Sequence, residues 1–229
     1  RKQITVLPKH EFIIDALLSF ALRPANWQSY LNGLKMERVP VYVTTSLKGE
    51  VSLKDEAKAW ADEVDAHFVP RQGRREEELH NLYENLIIYT NMGPEIRTEG
   101  GSHHFHPSMA ELRIRQIDSG NGDRFLDAVA ATGPVKFLDC TCGLGSDALV
   151  ASYGLPRGSR IDAVEASPLL ARVTAWGFSR YVHERRDVTE ALRHIHLSHD
   201  TYESVLTSIE DKSYDIIYFD PMFTRPVQE

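Results

Sequence analysis

The chain has 229 residues, 42% of them hydrophobic and 26% charged, with a formal net charge of −7. Such a length and apolar content suffice for a substantial core in one large or two small domains, whereas the acidic balance argues against a generic nucleic-acid binder, which carries a basic excess. No apolar run reaches the roughly 18 residues of a membrane span and no secretory signal pattern opens the chain, so a soluble cytoplasmic protein with no membrane partner is expected; two cysteines are too few for a disulfide framework or a four-ligand zinc site.

Residues 1–37 read as an N-terminal helical extension. Arg1–Leu7 has the composition of one strand, and the apolar stretch His10–Leu22, interrupted by Glu11 and Asp15, reads as a core-facing helix. Residues 38–104 read as a small α/β module. Val39–Thr45 is a strand, Ser52–Ala66 has helical spacing with Ser52 as N-cap, and His67–Val69 is a second strand. Asn85–Thr90 and Glu95–Thr98 flank Asn91-Met-Gly-Pro94 as a hairpin. The Gly-rich stretch Gly100–Pro107 follows as a connector holding His103, His104 and His106, with no carboxylate or cysteine spaced to complete a metal site. It is expected to pack over a ligand pocket, with a histidine or Phe105 meeting substrate. Ser108–Ile117 is helical.

Residues 105–229 form the third segment. After a Gly-Pro break, the short apolar strand Val135–Leu138 runs into Asp139-Cys-Thr-Cys-Gly-Leu-Gly-Ser-Asp147, and Ala148–Tyr153 has helical character. Strand, glycine turn and helix follow in that order. Gly143 and Gly145 let the backbone approach a ligand, and the helix N-terminus beyond them offers unpaired N–H groups to a carboxylate. The three-glycine dinucleotide fingerprint is absent. A ligand without a pyrophosphate needs less clearance, and S-adenosylmethionine is one. Cys140 and Cys142 read as filling beside it.

The strand Arg160–Val164 ends on Glu165, placed to accept from both hydroxyls of a ribose. Ser167 and Pro168 read as N-cap and first residue of a helix over Leu169–Tyr181. A third strand, His194–Ser198, leads to His199-Asp-Thr201, where Asp200 could receive an adenine amino group; a fourth, Tyr214–Phe219, ends at Asp220. Alone, each acid reads as a loop or cap residue. Together they mark the carboxyl ends of successive strands, where open α/β sheets bind ligands.

The tetrad Asp220-Pro221-Met222-Phe223 suits chemistry on an exocyclic amine. The Asp220 carboxylate and the Pro221 carbonyl could accept the amine's two N–H bonds and turn its lone pair toward an electrophile, while Phe223 stacks on the base. Read alone, the tetrad could equally be a strand and a turn.

With these motifs, residues from about Phe105 to Phe223 resemble class I S-adenosylmethionine-dependent methyltransferases, most closely the ribosomal RNA small-subunit methyltransferase J family. The resemblance rests on Leu138–Ala148, Val164-Glu165, Leu197–His199 and Tyr218–Phe223. It implies an α/β chain with a Rossmann-like class I methyltransferase sheet, S-adenosylmethionine as cofactor, and methylation of the N2 amine of a guanine in small-subunit ribosomal RNA, free or assembled. It also implies that Ser146, Asp147, Glu165, Ala166, Asp200, Thr201 and Asp220 line the cofactor site, with Asp139, Gly143 and Gly145 shaping it. The chain departs from the family in Cys140 and Cys142, where small apolar residues are expected. Residues 38–104 would present RNA to the cleft or cover one edge of the main sheet, and Arg71–Arg75 and Arg180–Arg186 are the basic stretches able to grip phosphate. Such a sheet takes further strand-helix units of roughly 30 residues each, so it is expected to be incomplete here, or completed in part by residues 1–37. An amino-methyltransferase acting on another RNA or DNA base and a non-catalytic binding module are the other readings.

Overall fold

A computed structural model of the protein describes residues 39–98 and 101–220. The strand and helix read within residues 1–37, and the tetrad residues Pro221 and Phe223, lie outside the described residues. The described chain builds two sheets. The first has the order β2-β1-β3-β4-β5, from β1 (Tyr42–Thr45), β2 (His67–Phe68), β3 (Leu86–Thr90), β4 (Gly93–Thr98) and β5 (Gly101–His104). β1 pairs in parallel with β2 and β3, and β3-β4-β5 continue antiparallel. The second sheet is wholly parallel, in the order β8-β7-β6-β9, from β6 (Lys136–Asp139), β7 (Arg160–Glu165), β8 (Ile195–His199) and β9 (Ile216–Tyr218).

Helices α1 (Lys54–Glu63), α2 (Glu76–Leu82), α3 (Ser108–Asp118), α4 (Arg124–Val129), α5 (Ser146–Gly154), α6 (Pro168–Arg180), α7 (Arg186–Arg193) and α8 (Tyr202–Ser208) cover the sheets. Their sequences say why. α1 buries Ala57, Trp60 and Ala61, the three- and four-residue spacing of one helical face. α6 begins as the sequence predicts, with Ser167 accepting from the Leu170 N–H at 3.3 Å and Pro168 in the first turn. β6 is buried at Phe137, Leu138 and Asp139, the unbroken burial of a parallel strand covered on both faces.

α6 joins the two sheets. Its Arg172 donates to the Val64 and Asp65 carbonyls at 2.9 and 3.1 Å, its Trp176 indole donates to the Tyr89 hydroxyl at 3.3 Å, and Arg180 pairs with Glu63. Tyr89 in turn donates to Glu56 at 2.7 Å. Trp176 packs where a Cβ on Gly93 would stand, so β4 and α6 touch backbone to ring. One buried apolar cluster includes residues of both sheets, from Val41 and Ile87 to Phe137 and Ile161.

Three local readings change. The first helix starts at Lys54, with Leu53 rather than Ser52 at its cap, because residues 50–53 form a lead-in turn closed by Leu53 N–H donating to the Gly49 carbonyl at 2.9 Å. The supposed connector contributes strand β5, whose register pairs Thr98 with Gly101 and Glu95 with His104. Gly101 has φ +134°, a conformation side chains rarely adopt, so a residue that signals a loop opens a strand instead. Phe105 is buried against Phe178 and Tyr181 at ring distances of 5.8 and 5.5 Å, which makes it core rather than a substrate contact. Helices α2, α4, α7 and α8 escape the sequence reading because each is eight residues or shorter. None of the described helices is long and apolar enough to cross a membrane.

A Cβ built on Gly177 in α6 would lie 2.0 Å from the Phe105 ring. Helix propensity favours alanine there by about 1 kcal/mol, but overpacking costs about 1 to 3 kcal/mol. Gly177→Ala is therefore expected to lower the urea midpoint without changing the m-value. A raised midpoint would contradict this packing.

Candidate active site at the carboxyl ends of the parallel strands

From β6 the chain steps outward through β7 to β8, then returns to place β9 on the opposite side of β6. The junction of β6 and β9 is thus a topological switch point, where open α/β sheets leave a crevice at the strands' carboxyl ends. Asp139, Glu165, His199-Asp200 and Asp220 stand at or just beyond those four ends.

The turn after β6 is held on both flanks. Asp139 Oδ1 accepts from the Thr141 N–H at 3.0 Å, and Cys142 N–H donates to the Val164 carbonyl at 3.0 Å. Gly143 N–H donates to Glu165 Oε2 at 2.8 Å, while its carbonyl accepts from the Thr174 hydroxyl at 2.7 Å. The two glycines do different jobs. Gly145, at φ +82°, caps α5, and a Cβ there would lie 2.3 Å from Phe178; Gly143, at φ +55°, has nothing within 4 Å of that position and leaves open space. α5 then presents the N–H groups of Ser146 and Asp147 in its first turn, where helical geometry supplies no acceptor.

Glu165 accepts from Gly143 through one oxygen and from the Ser167 N–H, at 2.7 Å, through the other. A carboxylate has about four acceptor positions, so it retains capacity for ligand hydroxyls. Asp200 accepts from the Thr201 N–H at 2.7 Å and the Ser204 hydroxyl at 3.2 Å, and Thr201 caps α8 through the Ser204 N–H. Ala166 and Asp200 also line a cleft of about 720 Å³ between α6, β8 and the first sheet, which Gly143, Glu165 and Asp220 do not line. The nominated residues therefore divide. Asp139, Gly143, Asp147, Glu165 and Asp220 gather around the switch point, while Ala166, Asp200 and Thr201 form its rim toward the cleft.

Three side chains that matter here, those of Arg113, Tyr218 and Thr141, have no role assigned from the sequence. Asp147 accepts from Arg113 through one oxygen and from the Tyr218 hydroxyl, at 3.0 Å, through the other. Arg113 also makes a two-point contact with Asp123, at 2.8 and 3.0 Å, and lies over the Phe125 ring. The Asp147 side chain is thus held by protein partners on both oxygens, and its backbone N–H is a further group able to meet a ligand. Thr141 receives the Asp220 N–H on its hydroxyl at 2.7 Å. Only contacts between distant segments reveal these roles.

The gathered acids perturb one another. Burial pushes the Asp139 carboxyl up to about 7, opposed by the Thr141 N–H and reinforced by the charges of Asp147, Asp220 and Glu165. Burial, then the Asp139 charge, raises both cysteine thiols, so Cys140 and Cys142, free and buried, act as apolar filling. Burial and the Arg172 charge lower His199, which keeps its ring neutral at pH 7.

The basic stretches are partly engaged by the protein itself. Arg71 is buried and donates to the Thr45 carbonyl at 2.8 Å; Arg180 pairs with Glu63, Arg185 with Asp118 and Asp187, and Arg186 with Glu190. Arg71, Arg180 and Arg185 are thus tied to the protein, whereas Arg75 and Arg186 keep exposed side chains. Glu111, His183 and Glu184 bring ligand atoms within 4.8 Å of one another. His183 Nδ1, however, accepts from the Arg185 N–H at 3.0 Å, so the neutral ring carries its proton on Nε2, toward Glu111, and offers no lone pair there to a metal.

Residues 102–228 match the model of a family described as "Putative SAM-dependent methyltransferase". Over 188 residues the chain is 28% identical to the uncharacterized protein YpiP of Bacillus subtilis, covering 81% of this chain and 73% of that one. It is 30% identical over 129 residues to ribosomal RNA small subunit methyltransferase J of Aliivibrio fischeri, covering 53% of this chain and 48% of the relative. The same-named protein of Hydrogenovibrio crunogenus is 29% identical over 111 residues, 39% of its length. The chain thus spans less than half of these methyltransferase J relatives. Among solved structures, the SAM-dependent methyltransferase NGO1261 of Neisseria gonorrhoeae superposes with a TM-score of 0.56 at 18% identity, covering 80% of this chain and 70% of that one.

Because the Asp139 carboxyl is raised on folding, the folded state binds the extra proton between its ordinary value of 3.8 and about 7. The stability this contributes is fully present below the lower value and is lost as pH rises to the upper one. Wild-type protein is expected to lose stability relative to Asp139→Asn across that window, by at most about 1.4 kcal/mol per pH unit, with a constant difference above it. Parallel stability curves from denaturant titrations at pH 5 to 8 would contradict the burial of an ionisable Asp139.

Proposed function

The chain belongs to this S-adenosylmethionine-dependent methyltransferase family, and on that premise we propose that it methylates the N2 exocyclic amine of a guanine in small-subunit ribosomal RNA. The observation that carries the reading is Asp220, tied by its own N–H to Thr141 at the mouth of the glycine turn. A cofactor held by that turn and an amine held by Asp220 would meet across the β6/β9 junction.

The cofactor is S-adenosylmethionine, and the donor set suits it. The open space beside Gly143, together with Gly145 and the first-turn N–H groups of Ser146 and Asp147, would receive its amino-acid end. Glu165 would accept from its ribose hydroxyls, and Ala166, Asp200 and Thr201 would border the adenine. Asp139, Asp147, Glu165 and Asp220 give the site a negative field that favours a cationic ligand. When bound, the cofactor supplies a methyl group already activated by a positively charged sulfur.

Asp220 accepts one N–H of the target amine and Pro221, through its carbonyl, the other, which turns the nitrogen lone pair toward the methyl carbon. On methylation the amine nitrogen would shed one proton, which Asp220 or solvent would take. No covalent enzyme intermediate is required. Phe223 stacks on the base, which must first leave its helix for the amine to reach a strand end. A guanine target is supported by the Asp220–Phe223 tetrad and by the methyltransferase J relatives, and an RNA substrate would place the work in the cytoplasm.

Deleting the gene and mapping modified guanines tests the substrate. One N2-methylguanine of the small-subunit RNA is expected to disappear and to be restored by wild type but not by Asp220→Ala, whose turnover on hypomethylated particles should fall at least about a hundredfold with an unaltered melting profile. If every N2-methylguanine survives deletion, the guanine reading is wrong, and an amino-methyltransferase acting on another base takes its place.

A further inference from the structure

We propose that Thr141 is a positioning residue that fixes Asp220 against the cofactor turn; the inference rests on the reading of Asp220 as the amine-holding residue. The last register pair between β6 and β9 is Asp139 with Tyr218. One further backbone bond follows, from Cys140 N–H to the Tyr218 carbonyl at 2.9 Å. β6 then swings to its other neighbour, since Cys142 N–H donates to Val164 of β7. The next donor along β9, the Asp220 N–H, has therefore lost the backbone acceptor that a continuing strand would supply.

The Thr141 hydroxyl takes that carbonyl's place, at 2.7 Å from the Asp220 nitrogen. Its position is itself fixed, because the Thr141 N–H is held by Asp139 Oδ1 at 3.0 Å and β-branching restricts its χ1. A single side chain thus extends the ladder by one bond, just where one strand becomes a cofactor loop and the other carries the substrate acid. Of the residues in Cys140-Thr141-Cys142, the cysteines fill space and the threonine holds geometry. An isosteric valine would keep the packing and lose the acceptor, whereas a serine would keep the acceptor.

The test compares wild type, T141V and T141S for amide hydrogen exchange at Asp220 in the free protein, and for kcat and KM in tritiated methyl transfer to small-subunit particles from the deletion strain. T141V should lose the protection of the Asp220 amide and lower kcat about ten- to a hundredfold, the penalty of a slightly misplaced reacting group. The KM for S-adenosylmethionine should stay within about threefold, since a neutral hydrogen bond away from the ligand changes little of its binding. T141S should restore both protection and most of the turnover. Equal exchange in wild type and T141V, or lost protection with undiminished kcat, would overturn the proposal, as would a T141S as impaired as T141V, because the hydroxyl that serine retains would then not be what positions Asp220. An active Asp220→Ala in the same assay would remove the underlying reading instead, while the exchange result still reports on the bond.

Discussion

The parallel register of β6 with β7 on one side and β9 on the other is the constraint on which the site depends. It aligns the carboxyl ends of these strands, and with them Asp139, Glu165 and Asp220, while α5 brings Asp147 to the same place. Four carboxylates stand in one crevice, and at Asp139 burial first, then the charges of the other three, raise the carboxyl. A ligand carrying net positive charge relieves the repulsion, and a neutral one does not. S-adenosylmethionine is a cation before methyl transfer, and its demethylated product has lost the sulfonium charge. A cofactor bound in this crevice would thus be attracted by its field more strongly before the reaction than its product after it.

Supports around the crevice keep the acids in place. Arg113 reaches from α3 to Asp147 and Asp123, and Tyr218 on β9 donates to the same Asp147, so the helix after the glycine turn and the strand before Asp220 share one carboxylate. Burial works against the Arg113 charge, but the hydrogen bonds it donates to Asp123 and Asp147 outweigh that and hold the guanidinium firmly protonated. On the other flank Thr174 of α6 donates to the Gly143 carbonyl while Phe178 presses on Gly145, and the same helix carries the first sheet through Trp176 and Arg172. The module of residues 39–98 is therefore joined through α6 to the wall of the glycine turn.

Much of this was legible in the sequence wherever chemistry and local geometry coincide. Gly143 and Gly145 declare a turn because both occupy backbone conformations that side chains avoid, and Ser167-Pro168 declares a helix start because cap and first-turn preferences are local. The acids were legible as strand ends because each follows an apolar run. Arg113, Tyr218 and Thr141 were not, since their partners lie 34, 71 and 79 residues away and no local pattern encodes such pairings. Gly101 misled because the same φ that suits a loop also suits the start of an edge strand, and composition does not show the acids that pair with Arg180, Arg185 and Arg186.

The central claim is that S-adenosylmethionine sits at the β6/β9 junction rather than in the cleft beside α6. Hydrogen–deuterium exchange with and without S-adenosylmethionine tests it most directly. Protection is predicted in the turn from Asp139 to Asp147 and around Glu165, with weaker effects at Asp200-Thr201. Protection confined to Val39–Val41 and to the α6 face bearing Arg172 and Ala175, with the glycine turn unchanged, would contradict it.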